Sequence, residues 1–317
     1  MTKGKQWAQW APRSKLFILA LCTATGLTAL GSACGSKKVS DASSSKGPSS
    51  DNKTSLPDTG MLDPQNPENP QNPQNPGENS QAQIVGGHSY ITDVLLFNGV
   101  GISTSDWQTT ETILKSAKMS YQLVNSKQLD AMTLDQMTNF GVMIFPGGNG
   151  YSITGGLLLS TAVRIRQAVR DRAVGYVGFC AGAWVSVGPE ALTNNTAAYG
   201  FAVAKGGYLI EYAPGGKYPE ATMENVSFAD GSHRQLVWWG GPKTPNWVGG
   251  VIAKYVTGEP AISQTWVGKG YVVISGVHPE APQSWRYTAG YDSDGLDYDI
   301  AMKMIRAALY QSPMAAF

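Results

Sequence analysis

Val174-Gly-Tyr-Val-Gly-Phe-Cys-Ala-Gly-Ala-Trp-Val-Ser-Val187 is the stretch from which the rest of the chain is read. Val174–Phe179 is a short apolar run of the kind that forms a fully buried strand. Ala181–Val187 carries small and apolar residues and reads as the start of a helix. Between them, Gly178-Phe-Cys180-Ala-Gly182 fits a sharp strand-to-helix turn with a nucleophile at its apex. Such a turn strains the backbone at Cys180, and Gly178 and Gly182 bring no Cβ to clash at it. The helix start beyond the sulfur sets positive partial charge near it and favours the thiolate. Alone, the segment reads equally as a buried structural cysteine.

Outward from this turn the chain alternates strand-like and helix-like pieces. Asp93–Phe97, Tyr121–Val124 and Gly141-Val-Met-Ile-Phe-Pro146 are strand-like, while Leu157–Arg170 reads as a helix. Trp107–Ala117 reads as an amphipathic helix with Ile113, Leu114 and Ala117 on one side. Continuous apolar strands alternating with helices predict a parallel sheet covered on both faces. Tyr199 to Val277 is richer in β-type runs: Gln235–Trp239, Val248–Val256, Ile262–Val267 and Tyr271–Ser275. These are expected to extend or close the sheet. Asp294 to Tyr310 reads as a terminal helix with acidic residues in its first turn, where the dipole favours them.

Two further signals join Cys180. Ser275-Gly-Val-His278-Pro-Glu280 follows a strand-like run, and residues two apart on an extended backbone point the same way. Pro279 biases His278 toward that extended form, so Glu280 can hold one imidazole nitrogen while the other faces a thiol. His88 and His233, the other two histidines, have no acid at this spacing after a strand. Phe145-Pro-Gly-Gly148 closes a buried strand, and its two glycines let backbone N–H groups point into a pocket, as an oxyanion hole needs. Alone, Pro-Gly-Gly is a turn.

The order Pro-Gly-Gly, Gly-x-Cys-x-Gly, His-Pro-Glu resembles the class I glutamine amidotransferases. Asp93 to Glu280 is most similar to the amidotransferase-like N-terminal domain of biotin–protein ligases and its stand-alone bacterial relatives. The matching stretches are Asn98-Gly-Val-Gly101, Phe145–Gly148, Gly178-Phe-Cys-Ala-Gly-Ala183, Trp238-Trp-Gly-Gly241, Gly268-Lys-Gly270 and Gly276–Glu280. The resemblance implies a flavodoxin-like α/β fold, a parallel sheet sandwiched by helices, with additional strands. It implies a triad of Cys180, His278 and Glu280, with Gly148 and Ala181 as oxyanion-hole N–H donors. Ala181 stands where the peptidase-like branch of the superfamily carries histidine, which points away from that branch. No synthetase domain follows to use released ammonia. The adenylate loop and catalytic lysine region of a biotin ligase are not found in these residues, so ligase activity is not expected. The expected partner is an amide, whether peptide, cell-wall amide or free amino-acid amide, and no cofactor or metal is called for. A non-catalytic domain binding a ligand or partner in the same pocket is the alternative.

Three other features are set aside. Gly99-Val-Gly101 lacks the third glycine of a dinucleotide fingerprint, since Thr104 sits there. Asp292-Ser-Asp-Gly-Leu-Asp297 has its glycine too early for a calcium loop and reads as helix capping. Trp238-Trp239 reads as core and rim.

The N-terminus has a different character. Lys3, Lys5, Arg13 and Lys15 precede the apolar run Leu16–Leu30, then Gly31-Ser-Ala33 and Cys34. This is the layout of a secretory signal. The run is too short and too broken by Thr and Gly for a spanning helix, which needs about 20 apolar residues. Small residues ending in cysteine resemble a bacterial lipoprotein signal, although Leu30 stands one residue further from the cysteine than that family prefers. The resemblance implies lipidation at Cys34 after removal of residues 1–33, and a place in the bacterial envelope outside the cytoplasm. Ordinary cleavage leaving Cys34 free is the other reading. Residues 34–82 turn Ser-rich and then Pro/Asn/Gln-rich, with Pro at every third position from Pro64 to Pro76. Such a segment buries no core and reads as a disordered, extended tether to a domain at 83–317. Cys22 falls in the apolar run, so Cys180 is the single thiol of the predicted domain. A formal net charge of +1, from 24 basic and 23 acidic residues, gives no field for nucleic acid.

Overall fold

The computed structural model describes residues 82–188, 200–217 and 220–317. The signal-like segment, Cys34 and the proline-repeat tether lie outside the described residues. Among the described residues no helix is long and apolar enough to cross a membrane.

Nine strands form one sheet. In chain order they are β1 (Thr92–Phe97), β2 (Tyr121–Val124), β3 (Phe140–Phe145), β4 (Gly175–Phe179), β5 (Thr222–Phe228), β6 (His233–Trp238), β7 (Val251–Tyr255), β8 (Pro260–Val267) and β9 (Gly270–Ser275). Across the sheet they run β6-β5-β7-β8-β9-β4-β3-β1-β2. From β9 to β2 every pairing is parallel, and from β6 to β9 every pairing is antiparallel. The strands expected between Tyr199 and Val277 therefore extend the sheet. β1, β3, β4 and β9 are buried at every residue, which is why they read as unbroken apolar runs.

Helices cover both faces of the parallel half. Successive side chains along a strand point to opposite faces. Val94, Leu96, Val142, Ile144, Val177 and Phe179 meet α1 (Thr104–Ser116) and the terminal helix, here α4 (Tyr298–Tyr310). Leu95, Phe97, Met143, Phe145 and Tyr176 meet α2 (Leu159–Arg172) and α3 (Ala181–Ser186). Arg166 of α2 donates to Phe201 O at 2.7 Å, and Arg170 donates from Nε to Val203 O at 2.8 Å. Those bonds hold the chain after residue 200 against the helix.

Several boundaries differ from the expectation. α1 starts at Thr104, three residues early, with Ser103 in the extended N-cap position. α4 starts at Tyr298 rather than Asp294, because Asp292–Gly295 is a tight turn in which Asp292 Oδ1 accepts the N–H groups of Asp294 and Gly295. Asp297 occupies the N-cap position but makes no side-chain cap bond. It is buried between Arg234 and Arg286 instead, at 3.1 and 3.2 Å. β5 had no sequence signal, since Glu224 and Asn225 interrupt its apolar residues.

Candidate active site

Cys180 stands between the end of β4 and the first residue of α3, with φ +44° and ψ −99°. This is the sharp turn expected there, in a backbone region that costs a non-glycine residue on the order of 1–3 kcal/mol. A Cβ on Gly182 would run into the carbonyl oxygen of Phe145, and one on Gly178 into the backbone of Gly182. The backbone N–H of Cys180 donates to Ser275 O of β9 at 2.8 Å, pinning the turn to the strand that carries the histidine. The thiol is 4% exposed, and Sγ donates to Trp239 O at 3.4 Å.

His278 follows the end of β9, and its backbone N–H donates to Val237 O of β6 at 2.8 Å. Its Nδ1 lies 2.8 Å from Glu280 Oε1. Both side chains are buried, and the imidazole stacks edge-on against Trp285 at 5.0 Å between centroids. The His278–Glu280 contact expected from the sequence is present, but a turn rather than an extended backbone makes it: Ala281 N–H donates to His278 O at 3.1 Å, closing a turn over Pro279 and Glu280. Burial pulls the His278 pKa down, but the adjacent Cys180 and Glu280 charges and hydrogen bonding to Asp106 hold it well above the usual imidazole value. Burial pushes Glu280 up to about 7, with Asp106 adding to the rise and His278 opposing it. At 2.8 Å, one proton between Nδ1 and Oε1 serves both His278 and Glu280. Nε2 makes no hydrogen bond of good geometry, but it faces the thiol closely enough for the Cys180 charge and hydrogen bonding to raise the His278 pKa, while Sγ lies 3.4 Å from Trp239 O. A rotation of the S–H about the Cβ–Sγ bond converts one arrangement into the other.

Asp106 is the residue that sequence reading missed. It lies in the first turn of α1, is 1% exposed, and places Oδ1 3.3 Å from His278 Nδ1. Neither carboxylate oxygen has a well-formed hydrogen bond to any described group. In the sequence it is one acid at a helix start, and only the fold brings it beneath the imidazole. Gly147 makes that approach possible, since a Cβ there would strike Asp106 Oδ1 and come within 2.7 Å of His278 Cε1. Donor atoms of Asp106, His278 and Glu280 all lie within 4.8 Å of one another. Nδ1 and Oε1, 2.8 Å apart, lie at the separation of an acid–imidazole hydrogen bond.

Gly148 has φ +149° and is held by the early glycine loop. Ser103 N–H donates to Gly147 O at 3.0 Å, and Asn149 N–H donates to Gly101 O at 2.7 Å. Neither the Gly148 nor the Ala181 N–H is taken by a backbone carbonyl outside the helices and strands. Gly148 and Cys180 line one cavity of about 700 Å³, whose walls include Trp184, Trp239, Tyr151 and Glu211. Trp238 is fully buried, and its indole N–H donates to Gly241 O at 3.0 Å, while Trp239 is half-buried at the cavity rim. The other two histidines are elsewhere: His88 is buried with Nε2 3.0 Å from Phe140 O, and His233 is exposed with Nδ1 3.0 Å from Ser227 Oγ.

No family model and no curated protein matches the chain. Among solved structures it is similar to a glutamine amidotransferase at 18% identity and a TM-score of 0.40, over 59% of this chain and 90% of that one. It is similar to one from Thermotoga maritima at 12% identity and 0.40, over 69% and 89%. A glutamine amidotransferase from Methylobacillus flagellatus shows 12% identity and 0.39, over 72% and 98%. The α/β fold itself follows from the strand order and the helix layers.

Proposed function

We propose that the domain is a thiol-dependent amide hydrolase or acyl-transfer enzyme. The observation that carries this reading is the convergence of Cys180, His278 and Glu280 at the ends of two neighbouring parallel strands, beside an oxyanion-type loop. In the proposed reaction His278 Nε2 takes the thiol proton, and Sγ attacks the amide carbonyl. Gly148 and Ala181 N–H groups hold the oxyanion. The imidazolium returns its proton to the leaving nitrogen as the C–N bond breaks, leaving a thioester and a free amine. Water, activated by the now neutral imidazole, or a second amine then releases the acyl group. Glu280 keeps Nδ1 protonated and oriented throughout. The motif set, which resembles that of the amidotransferase-like N-terminal domains of biotin–protein ligases, supports a member of that group, and no ligase activity is proposed for it.

A panel of peptide, cell-wall and amino-acid amides, with Cys180→Ala as the blank, tests this. Turnover lost in the blank supports it. Equal turnover with and without the thiol refutes it. One observation favours a second reading, a pocket that binds without turnover: the thiol hydrogen is directed to Trp239 O rather than to the imidazole.

The lipoprotein-type signal supports an envelope-anchored protein, with Cys34 lipidated and residues 34–82 as spacer. Labelling with a fatty-acid probe should be abolished by Cys34→Ser, and persistence of the label in that variant would rule the anchor out.

A further inference from the structure

Among the described residues, one acid lines the cavity that opens on Cys180. Glu211 lies on the short strand Ile210–Glu211, which pairs antiparallel with Pro242–Lys243. It is half-buried and lines the same cavity as Cys180. The link between them is short. Cys180 Sγ donates to Trp239 O at 3.4 Å, Trp184 Nε1 donates to Gly240 O at 3.3 Å, and a Cβ on Gly240 would sit 3.8 Å from Glu211 Oε1. The carboxylate is thus about two residues along the wall from the nucleophile.

Nothing described neutralises this acid. Lys243 on the paired strand is turned to Glu259 in a salt bridge. Burial raises the Glu211 pKa, and no cation offsets that effect. Two other polar side chains of the cavity are committed locally. Asn149 caps Ser152 N–H at 2.9 Å, and Thr154 donates to the carbonyls of Gly150 and Tyr151 at 3.1 and 3.2 Å. Among the described lining residues Glu211 is the only charged side chain, and four aromatic side chains share that lining. Trp184, Trp239, Tyr151 and Tyr208 supply the ring faces, and a carboxylate beside ring faces in a partly dry cavity is the setting that recognises an ammonium or guanidinium group.

We propose that Glu211 selects amides bearing a cationic group next to the acyl carbon or leaving nitrogen, so that the substrate class is a cationic amide such as an amino-acid or diamine-derived amide. This rests on Cys180 acting as the nucleophile.

The test uses bromoacetamides that alkylate Cys180 while differing in the attached group: a cationic N-(2-aminoethyl) form, a neutral N-ethyl form, an anionic N-carboxymethyl form and a neutral polyhydroxylated form. Rates are read on the full chain by mass spectrometry of the Cys180 peptide and normalised to each probe's rate with free cysteine. The cationic form is expected to exceed the anionic form by about tenfold, the equivalent of about 1.4 kcal/mol. Glu211→Gln should bring that ratio to within about twofold of unity, and Glu211→Lys should invert it. Asp230→Asn, a loss of the same charge at an exposed turn, should leave the ratio unchanged. No charge preference, or preference for the polyhydroxylated probe, overturns the proposal. A Cys180 inert to all four probes refutes the nucleophile instead. In that case tryptophan fluorescence of Cys180→Ala, titrated with N-(2-aminoethyl)acetamide and N-acetylglycine, still decides the charge preference, because Trp184 and Trp239 line the cavity. Equal quenching by the two would again overturn it.

Discussion

Asp106→Asn is the substitution that separates a working acid–imidazole group from a set of residues that are merely close. Its carboxylate and that of Glu280 lie against one imidazole nitrogen, with donor atoms of the three within 4.8 Å. At an effective dielectric of 20, two unit charges at that distance repel by about 3.5 kcal/mol, which corresponds to roughly 2.5 pH units. Side-chain relaxation reduces this, and roughly one to two pH units remain. Burial and Asp106 together hold Glu280 at about 7. With Asp106 neutral, Glu280 should therefore ionise one to two pH units lower. An ionised Glu280 stabilises the imidazolium, and the imidazolium stabilises the thiolate, so alkylation of Cys180 should rise with pH through Glu280's titration. Lost hydrogen bonding at Nδ1 acts the other way on the height of the plateau. It is the lesser effect, because Nδ1 is closer to Glu280, at 2.8 Å against 3.3 Å for Asp106. The assay is the pH profile of iodoacetamide reaction at the Cys180 peptide, with circular dichroism to confirm folding. The midpoint should fall by one to two pH units, with a plateau reduced by less than about tenfold. A midpoint that stays in place or moves upward in the folded variant would falsify the shared-proton arrangement.

Three further outcomes are expected. His278→Ala should slow alkylation of Cys180 only in part but remove nearly all turnover, since a halide probe needs no proton delivered to its leaving group, with Glu280→Gln falling between; equal losses in both assays would contradict the role given to Nε2. Stability should decline as pH rises. The Glu280 pKa is raised from 4.5 to about 7 in the folded state, so its contribution is full below 4.5 and lost by about 7; that of His278, also raised, is full below 6.5 and lost as pH climbs through its folded value, so thermal melts at pH 5.5 and pH 8 should show the higher midpoint at pH 5.5. Gly182→Ala drives a Cβ into the Phe145 carbonyl and should cost about 1–3 kcal/mol or more, whereas Gly155→Ala, with open space around its Cβ, should be neutral to slightly stabilising; a tolerated Gly182→Ala would show that α3 does not pack on β3 as described.

The parallel half of the sheet was legible because its strands are buried on both faces and so read as unbroken apolar runs. Gly141–Pro146 and Val174–Phe179 needed only length and flanking glycines to be read as strands. The site was legible where chemistry depends on local spacing: Gly-x-Cys-x-Gly and His-Pro-Glu each bring their groups together within five residues. β5 was not, because an antiparallel strand with Glu224 and Asn225 at its centre has no apolar run to see. The start of α4 was misplaced because Asp292 and Asp294 resemble a capping cluster, while Asp292 is taken up by Arg286 and by the turn, and Asp294 accepts from Gln235 N–H. Asp106 was invisible for another reason. Its partner is 172 residues away in the numbering, and nothing local marks an acid at a helix start as one that will be buried beneath an imidazole.

The strand order supplies the connection that spacing cannot. β9, β4, β3 and β1 are consecutive neighbours and parallel, so their C-terminal ends lie along one edge. That edge is where open α/β sheets place ligands. Each strand delivers one part there: β9 ends toward His278, β4 at Cys180, β3 at the Pro-Gly-Gly loop, and β1 at the Asn98–Gly101 loop that braces it. The loop after β1 leads directly into α1 and so brings Asp106 under the imidazole. The half-buried Trp239, just past the end of the antiparallel strand β6, supplies the carbonyl that holds the thiol hydrogen. The two halves of the sheet thus compete for one thiol, with His278 on one side and Trp239 on the other. A ligand that displaced Trp239 from the sulfur would release the hydrogen toward Nε2.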